Sequence, residues 1–300
     1  AASSFVKGDT SISLKLNFGV YLIQDNEMEI TTAIDRAELA RAETKNGPSD
    51  LVYYNDRIQE KLNFEKALED LQFKALAERE FEVYFQPKYN MRTGKIIGAE
   101  TLVRWRSKEK GFLFPGDFVP LFEQNGFILK LDDYVLEETC KLVRERILQE
   151  KKVIPISVNQ SRIHMADEHY IEKLSALLNK YDIPKYMIEL EVTETTLAEM
   201  ESAQPILMKV KELGYLISID DFGSGYSSLT LLNLTPFDIL KLDREFLSET
   251  YISQRTKNIL THVVEMAQSL NIQVICEGVE TEKQKDFLLS VGCLYAQGYY

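Results

Sequence analysis

Apolar residues along the chain fall into two recurrent spacings. Short runs of Ile, Val and Leu alternate with longer stretches in which apolar positions recur every three or four residues, the signatures of interior strands and amphipathic helices. Strands are predicted at 81–85, 95–103, 154–159, 187–193, 216–220, 238–242, 273–277 and 294–299. Helical spacing occupies 133–149, 168–180, 204–213, 255–270 and 282–290. This alternation predicts an α/β fold, a (β/α)8 barrel, with an open doubly wound sheet as the alternative. Tyr89-Asn90-Met91-Arg92-Thr93-Gly94 joins the first two runs. That is hairpin length, too short for a crossover helix, so the first strand is expected to run antiparallel.

Residues 1–56 pattern differently. Strand alternation over 12–21 precedes helical spacing over 31–42, a stop at Asn46-Gly47-Pro48 and a short strand at 51–54. The segment is too small to hold a complete core. Ile58, Leu62, Leu68, Leu71 and Leu76 then mark a charge-laced connecting helix over 57–80, and 81–300 forms the barrel.

The bulk numbers narrow the class. Of 300 residues, 45% are hydrophobic and 27% charged, with a formal net charge of −12. Without a basic stripe, polymeric nucleic acid is excluded as a partner. Cys140, Cys276 and Cys293 are an odd, scattered trio that fits a reducing cytoplasm better than a disulfide framework. His164, His169 and His262 form no ligand pattern, and no apolar run reaches transmembrane length or reads as a signal peptide. The opening Ala-Ala-Ser-Ser, without Met, reads as a fragment whose upstream segments could attach to a membrane.

Barrel active sites form at the C-terminal strand ends. There the apolar runs end in Glu100, Asn159, Glu191 with Glu194, Asp220 with Asp221, Lys241, Glu277 and Gln297. Carboxylates with one amide oxygen, and no Cys or His, suit Mg²⁺ or Mn²⁺ rather than Zn²⁺. Two ions sharing an aspartate would use them all and would suit in-line phosphoryl displacement. The bland alternative for Asp220-Asp221 is a solvated loop or a helix cap. Lys241 reads either as a snorkelling lysine or as a contact to phosphate or the attacking water. Glu189, on the same strand face as Glu191, reads as neutralised or solvent-facing. Arg104 is either a surface ion pair or a phosphate clamp, Trp105 a core aromatic, and Gln86 a weak candidate for a base edge.

At these residues the chain resembles the EAL family of cyclic di-GMP phosphodiesterases, over residues 64–300. The signature stands here as Glu100-Thr101-Leu102. Around it are Tyr84-Phe85-Gln86-Pro87, Arg104-Trp105, Ser157-Val158-Asn159, Glu191-Val192-Thr193-Glu194, the run from Asp220 to Leu229, Leu240-Lys241-Leu242-Asp243, Glu277-Gly278-Val279-Glu280 and Gln297-Gly298-Tyr299. The resemblance implies that Glu100, Asn159, Glu191 and Asp220 hold one metal, and Asp220, Asp221 and Glu277 a second. Lys241 would assist the attacking water. Glu277 would be the general base, or the ions themselves would deprotonate the water. Glu194 would anchor the loop after Asp221, which reaches the metal site and a homodimer partner. Gln86, Arg104, Lys241, Glu280 and Gln297 would contact cyclic di-GMP, and the product would be linear pGpG. The family's C-terminal tail is missing. A catalytically inactive receptor for cyclic di-GMP is the second reading; inactive members lose metal carboxylates or the Asp-Asp-Phe-Gly loop, and both are intact here. Phe18-Gly19-Val20-Tyr21 and Val52-Tyr53-Tyr54-Asn55 resemble the last third of a GGDEF (diguanylate cyclase) domain. The GGDEF motif is absent, so no cyclase chemistry is expected, and Ala42-Glu43-Thr44-Lys45 departs from the usual helix end, as in a degenerate, regulatory module.

Overall fold

A computed structural model describes residues 2–7, 10–23, 29–44, 49–167, 169–199, 203–223, 236–247 and 253–300. The helix stop at Asn46-Gly47-Pro48 and the loop from Ser224 to Leu229 lie outside these residues. The chain divides into two compact units, 1–73 and 74–300.

In the first unit, β1 (Ala2–Lys7) and β2 (Thr10–Lys15) form an antiparallel pair. The alternation over 12–21 is therefore two strands, since β3 (Phe18–Val20) pairs in parallel with β4 (Leu51–Tyr53) instead. Helix α1 (Ile30–Glu43) runs between β3 and β4. Arg36 lies against the rings of Tyr21 and Tyr54, at 5.0 and 5.3 Å, and donates to the Tyr21 hydroxyl. The division at residue 73 falls inside α2 (Asp56–Ala77).

The second unit is a closed eight-stranded barrel. In ring order it runs β5 (Phe81–Asn90), β13 (Tyr295–Ala296), β12 (Gln273–Cys276), β11 (Ile239–Leu242), β10 (Leu216–Phe222), β9 (Ile188–Thr193), β8 (Ile156–Asn159) and β6 (Lys95–Ser107), which pairs back with β5. As expected from the short first connection, β5 is antiparallel to both neighbours, while the other barrel pairs are parallel. The β5–β6 turn is built by Asn90, whose Oδ1 accepts from the N–H groups of Arg92 and Thr93 at 3.0 Å each, and by Gly94, whose φ of +66° suits glycine.

Several strands differ in length from expectation: β6 runs on to Ser107, where it pairs with the next strand at 111–113, and two others have a backbone reason of their own. β5 continues through Pro87 because its other edge meets β13 only at Tyr89 and Asn90, so the missing N–H of proline forfeits no bond to β13. β13 pairs at only two residues; beyond them the chain turns to exchange backbone bonds with the segment after β12, Val279 N–H to Gln297 O at 3.2 Å and Tyr300 N–H to Val279 O at 3.0 Å.

Helices α3 (Pro115–Asn125) and α4 (Ile128–Leu148) follow β7 (Gly111–Leu113), a third strand on the β5–β6 hairpin. Phe81, Trp105, Phe118, Phe122 and Phe127 pack there as a buried aromatic cluster, with ring centroids 4.8–6.5 Å apart. Trp105 is therefore a core residue, and its Nε1 donates to Glu80 at 3.0 Å. Helices α5 (Tyr170–Lys180), α6 (Glu194–Glu199), α7 (Ala203–Glu212), α8 (Gln254–Ser269) and α9 (Glu282–Ser290) complete the described helices. None of the described helices is long and apolar enough to cross a membrane.

Candidate metal centre

Strand alternation decides which side chains share the barrel interior. On β9, Ile188, Leu190 and Val192 alternate with Glu189 and Glu191, and all five are buried. Glu191 stands level with Asn159 of β8 and Ser218 of β10, and Glu100 of β6 stands level with Gln86 of β5. Lys241 enters from β11 and is only 1% exposed, which excludes a snorkelling role.

The Lys241 ammonium lies 3.1 Å from Glu100, 3.1 Å from Glu191, 3.0 Å from Asp220 and 2.8 Å from Glu277. Burial opposes its charge, but these four carboxylates outweigh burial and push its pKa well above the ordinary lysine value. Glu191 is treated in the opposite sense. Burial alone would push it up, yet Lys241 and Lys88 together hold it at about 2. Burial raises Glu100, reinforced by Glu191 against Lys241. Glu277 is pushed up to about 7, chiefly by burial and then by Asp220 and Glu100 against the pull of Lys241. Asp221 is pushed up to about 6 by burial, then by Asp220 and Asp243.

Oxygens of Glu100, Glu191 and Asp220 lie within 4.8 Å of one another, as do those of Asp220, Asp221 and Glu277. Two clusters able to coordinate divalent cations thus share Asp220. Consecutive strand residues ordinarily face opposite ways. Here Asp221 adopts φ +55°, in the left-handed region that aspartate tolerates better than most, and the β10–β11 register shifts between Ile219 and Phe222. That bend puts both aspartates in one triad.

Among the described residues, the two triads and Glu189 bring six carboxylates (Glu100, Glu189, Glu191, Asp220, Asp221 and Glu277) together with two ammonium groups, Lys88 and Lys241, which pair with all of them but Asp221. Carboxylates thus outnumber the cations that face them, and the all-oxygen donor set suits hard cations.

The other predicted residues divide in two. Asn159 joins the centre by donating to Glu100 Oε1 at 3.1 Å, which leaves its Oδ1 for a cation. Gln297 donates to Glu100 Oε2 at 2.7 Å and to Gln86 Oε1 at 3.1 Å, so both glutamines border the first triad. Glu194 is buried and accepts from the Gly223 N–H at 3.0 Å, at the start of the loop after Asp221. Arg104 lies on the face of β6 that carries Glu100 but four residues on, over the Phe114 ring at 5.4 Å and donating to Val103 O at 2.8 Å. Glu280 is exposed, and its N–H donates to Gln284 Oε1 at 2.9 Å.

Sequence reasoning missed Lys88. It is 1% exposed and lies 2.9 Å from both Glu189 and Glu191, so Glu189 is buried and neutralised rather than solvent-facing. The signal was present: Lys88 shares a strand face with Gln86 once β5 is allowed to pass Pro87.

The EAL domain family matches residues 69–300. The chain belongs to this family. The EAL chain is 32% identical over 291 residues to "Cyclic di-GMP phosphodiesterase NbdA" of Pseudomonas aeruginosa, covering 96% of the chain and 37% of that relative. It is 35% identical over 246 residues to "Bifunctional diguanylate cyclase/cyclic di-GMP phosphodiesterase MucR" of the same organism, covering 82% of the chain and 35% of that relative. The EAL chain thus spans just over a third of the length of either curated relative. Among solved structures, "PaMucR Phosphodiesterase, c-di-GMP complex" superposes with a TM-score of 0.73 at 34% identity, covering 77% of the chain and 94% of that structure. The FimX EAL domain of Pseudomonas aeruginosa shares the fold, with a TM-score of 0.71 at 20% identity, covering 78% of the chain and 94% of that structure.

Proposed function

We propose that this EAL barrel hydrolyses cyclic di-GMP to linear pGpG with two Mg²⁺ or Mn²⁺ ions. The observation that carries this reading is the pair of carboxylate triads sharing Asp220, gathered from strands β6, β9 and β10 and the segment after β12. Family membership and likeness to relatives named as cyclic di-GMP phosphodiesterases support the substrate.

Glu100, Asn159, Glu191 and Asp220 would hold one ion, and Asp220, Asp221 and Glu277 the other. When bound, such ions supply Lewis-acid charge to the phosphoryl group and acidify water. The chain supplies the rest. Water oxygen bonds to phosphorus, the P–O3′ bond breaks, and the freed 3′-oxygen takes a proton. Glu277, raised towards neutrality, is suited to take a proton from the water at its carboxylate. Lys241 keeps a fixed positive charge beside the reacting phosphate. Arg104 would hold a phosphate through its planar fork, Gln86 and Gln297 would hydrogen-bond the nucleoside at the rim, and Glu280 would add an outer contact. Glu194 would fix the start of the loop after Asp221, on which a homodimer contact would depend. Residues 1–56 we read as the end of a GGDEF-like domain, 57–80 as a connecting helix and 81–300 as the phosphodiesterase barrel. The likeness to NbdA covers 96% of the chain and so extends beyond the barrel into the N-terminal segment, which supports reading that segment as part of a shared longer organisation.

The test is product analysis of cyclic di-GMP incubated with the protein, with and without Mg²⁺ or Mn²⁺, beside Glu100→Ala. Metal-dependent pGpG that vanishes in the variant is expected. Tight binding without hydrolysis under either metal would make the protein a receptor and overturn the reading.

A further inference from the structure

Among the described residues, Lys88 is the one buried cation of the barrel interior that the proposed chemistry does not use. Its ammonium lies 2.9 Å from Glu189 Oε1 and 2.9 Å from Glu191 Oε1, beneath the centre. Glu191 is divided between two cations: Oε1 goes to Lys88, and Oε2 goes to Lys241 at 3.1 Å. A carboxylate held at one oxygen by a buried ammonium has its plane and rotamer set before any ligand reaches the other oxygen. Glu189 has a different part. Two residues further down the same strand face, it gives Lys88 a second anionic contact. The pairing reaches across the barrel interior, since β5 and β9 are not neighbours in the ring.

We infer that Lys88 is a positioning residue for the metal centre, holding Glu191 by one oxygen so that the other is presented to a cation. The inference rests on the metal-dependent reading above. Two roles must be separated. Lys88 could merely neutralise Glu189 so that the barrel folds, in which case removing both charges together would restore everything. If it orients Glu191, removing both restores the fold and leaves the metal site impaired.

The experiment measures Mn²⁺ binding to the full chain by counting free Mn²⁺ with electron paramagnetic resonance, alongside thermal unfolding. Three variants are compared with wild type: Lys88→Met, Lys88→Met with Glu189→Gln, and Glu189→Gln alone. Lys88→Met is expected to lower both melting temperature and Mn²⁺ affinity, since removing one partner strands a buried charge. The double variant should recover melting temperature yet remain at least about tenfold weaker for Mn²⁺, the scale of lost support behind a ligand. Glu189→Gln, which keeps the Lys88–Glu191 contact, should stay within about threefold of wild type. Wild-type affinity in the double variant would overturn the inference and leave Lys88 a neutralising partner of Glu189. Should the double variant fail to fold, a tenfold loss in Glu189→Gln alone would overturn it, because the determinant would then be Glu189. Absence of Mn²⁺ binding by wild type would instead overturn the metal reading itself, a result distinct from either.

Discussion

Asp220 and Asp221 show how one backbone angle makes a ligand set. An extended Asp221 would face away from Asp220; at φ +55° the two share a triad with Glu277. Burial and neighbouring carboxylates hold Asp221 at about 6 and Glu277 at about 7, both above the ordinary carboxylate range. The sign follows. Without metal, ionising these groups costs stability, a cost that grows as pH rises from their ordinary values to the raised ones. A cation reverses this, because it binds the ionised form and must displace the protons. Mn²⁺ affinity should therefore fall at least about tenfold between about pH 7.5 and about pH 5.5, read by titrating Mn²⁺ at each pH. A flat profile would show that neither group is a ligand. At this scale much was legible from the sequence, since a carboxylate ending an apolar run advertises itself. Lys88 was not. It follows a proline that reads as a strand end, and its partner Glu189 is 101 residues away.

Among elements, those with strong periodicity were the ones foreseen. The run over 282–290 coincides with α9, whose start is fixed by a capping box: Thr281 Oγ1 accepts from Gln284 N–H at 3.3 Å, and Gln284 Oε1 accepts from Thr281 N–H at 2.9 Å. Thr281→Ala should destabilise the protein by about 1 kcal/mol in urea unfolding without weakening Mn²⁺ binding. Loss of metal affinity as well would mean that α9 positions Glu277 through the intervening turn. The elements not foreseen have weaker signals. α3 contains Pro120 and opens at Pro115, so its apolar spacing is interrupted by residues that usually mark loops. α6 has six residues, less than two turns, and begins directly where β9 ends. The split of the alternation over 12–21 into β2 and β3 shows that alternation alone does not reveal where one strand stops and the next begins.

The whole barrel is held unevenly around its circumference. β5 and β6 pair at ten positions across a tight turn, whereas β13 and β5 meet at only two, Tyr295 with Asn90 and Ala296 with Tyr89. One further backbone bond, Met91 N–H to Leu294 O at 2.8 Å, reinforces that junction. Native-state hydrogen exchange should show the β13 amides opening sub-globally, ahead of those in β9 and β10. Exchange of all three strands only through global unfolding would refute this. The junction also bears on ligand occupancy. Gln297 Nε2 reaches Gln86 Oε1 across it, joining residues 211 apart in the chain. A molecule gripped by both amides would act as a latch on the ring, and by mutual linkage whatever loosens the ring would loosen the grip.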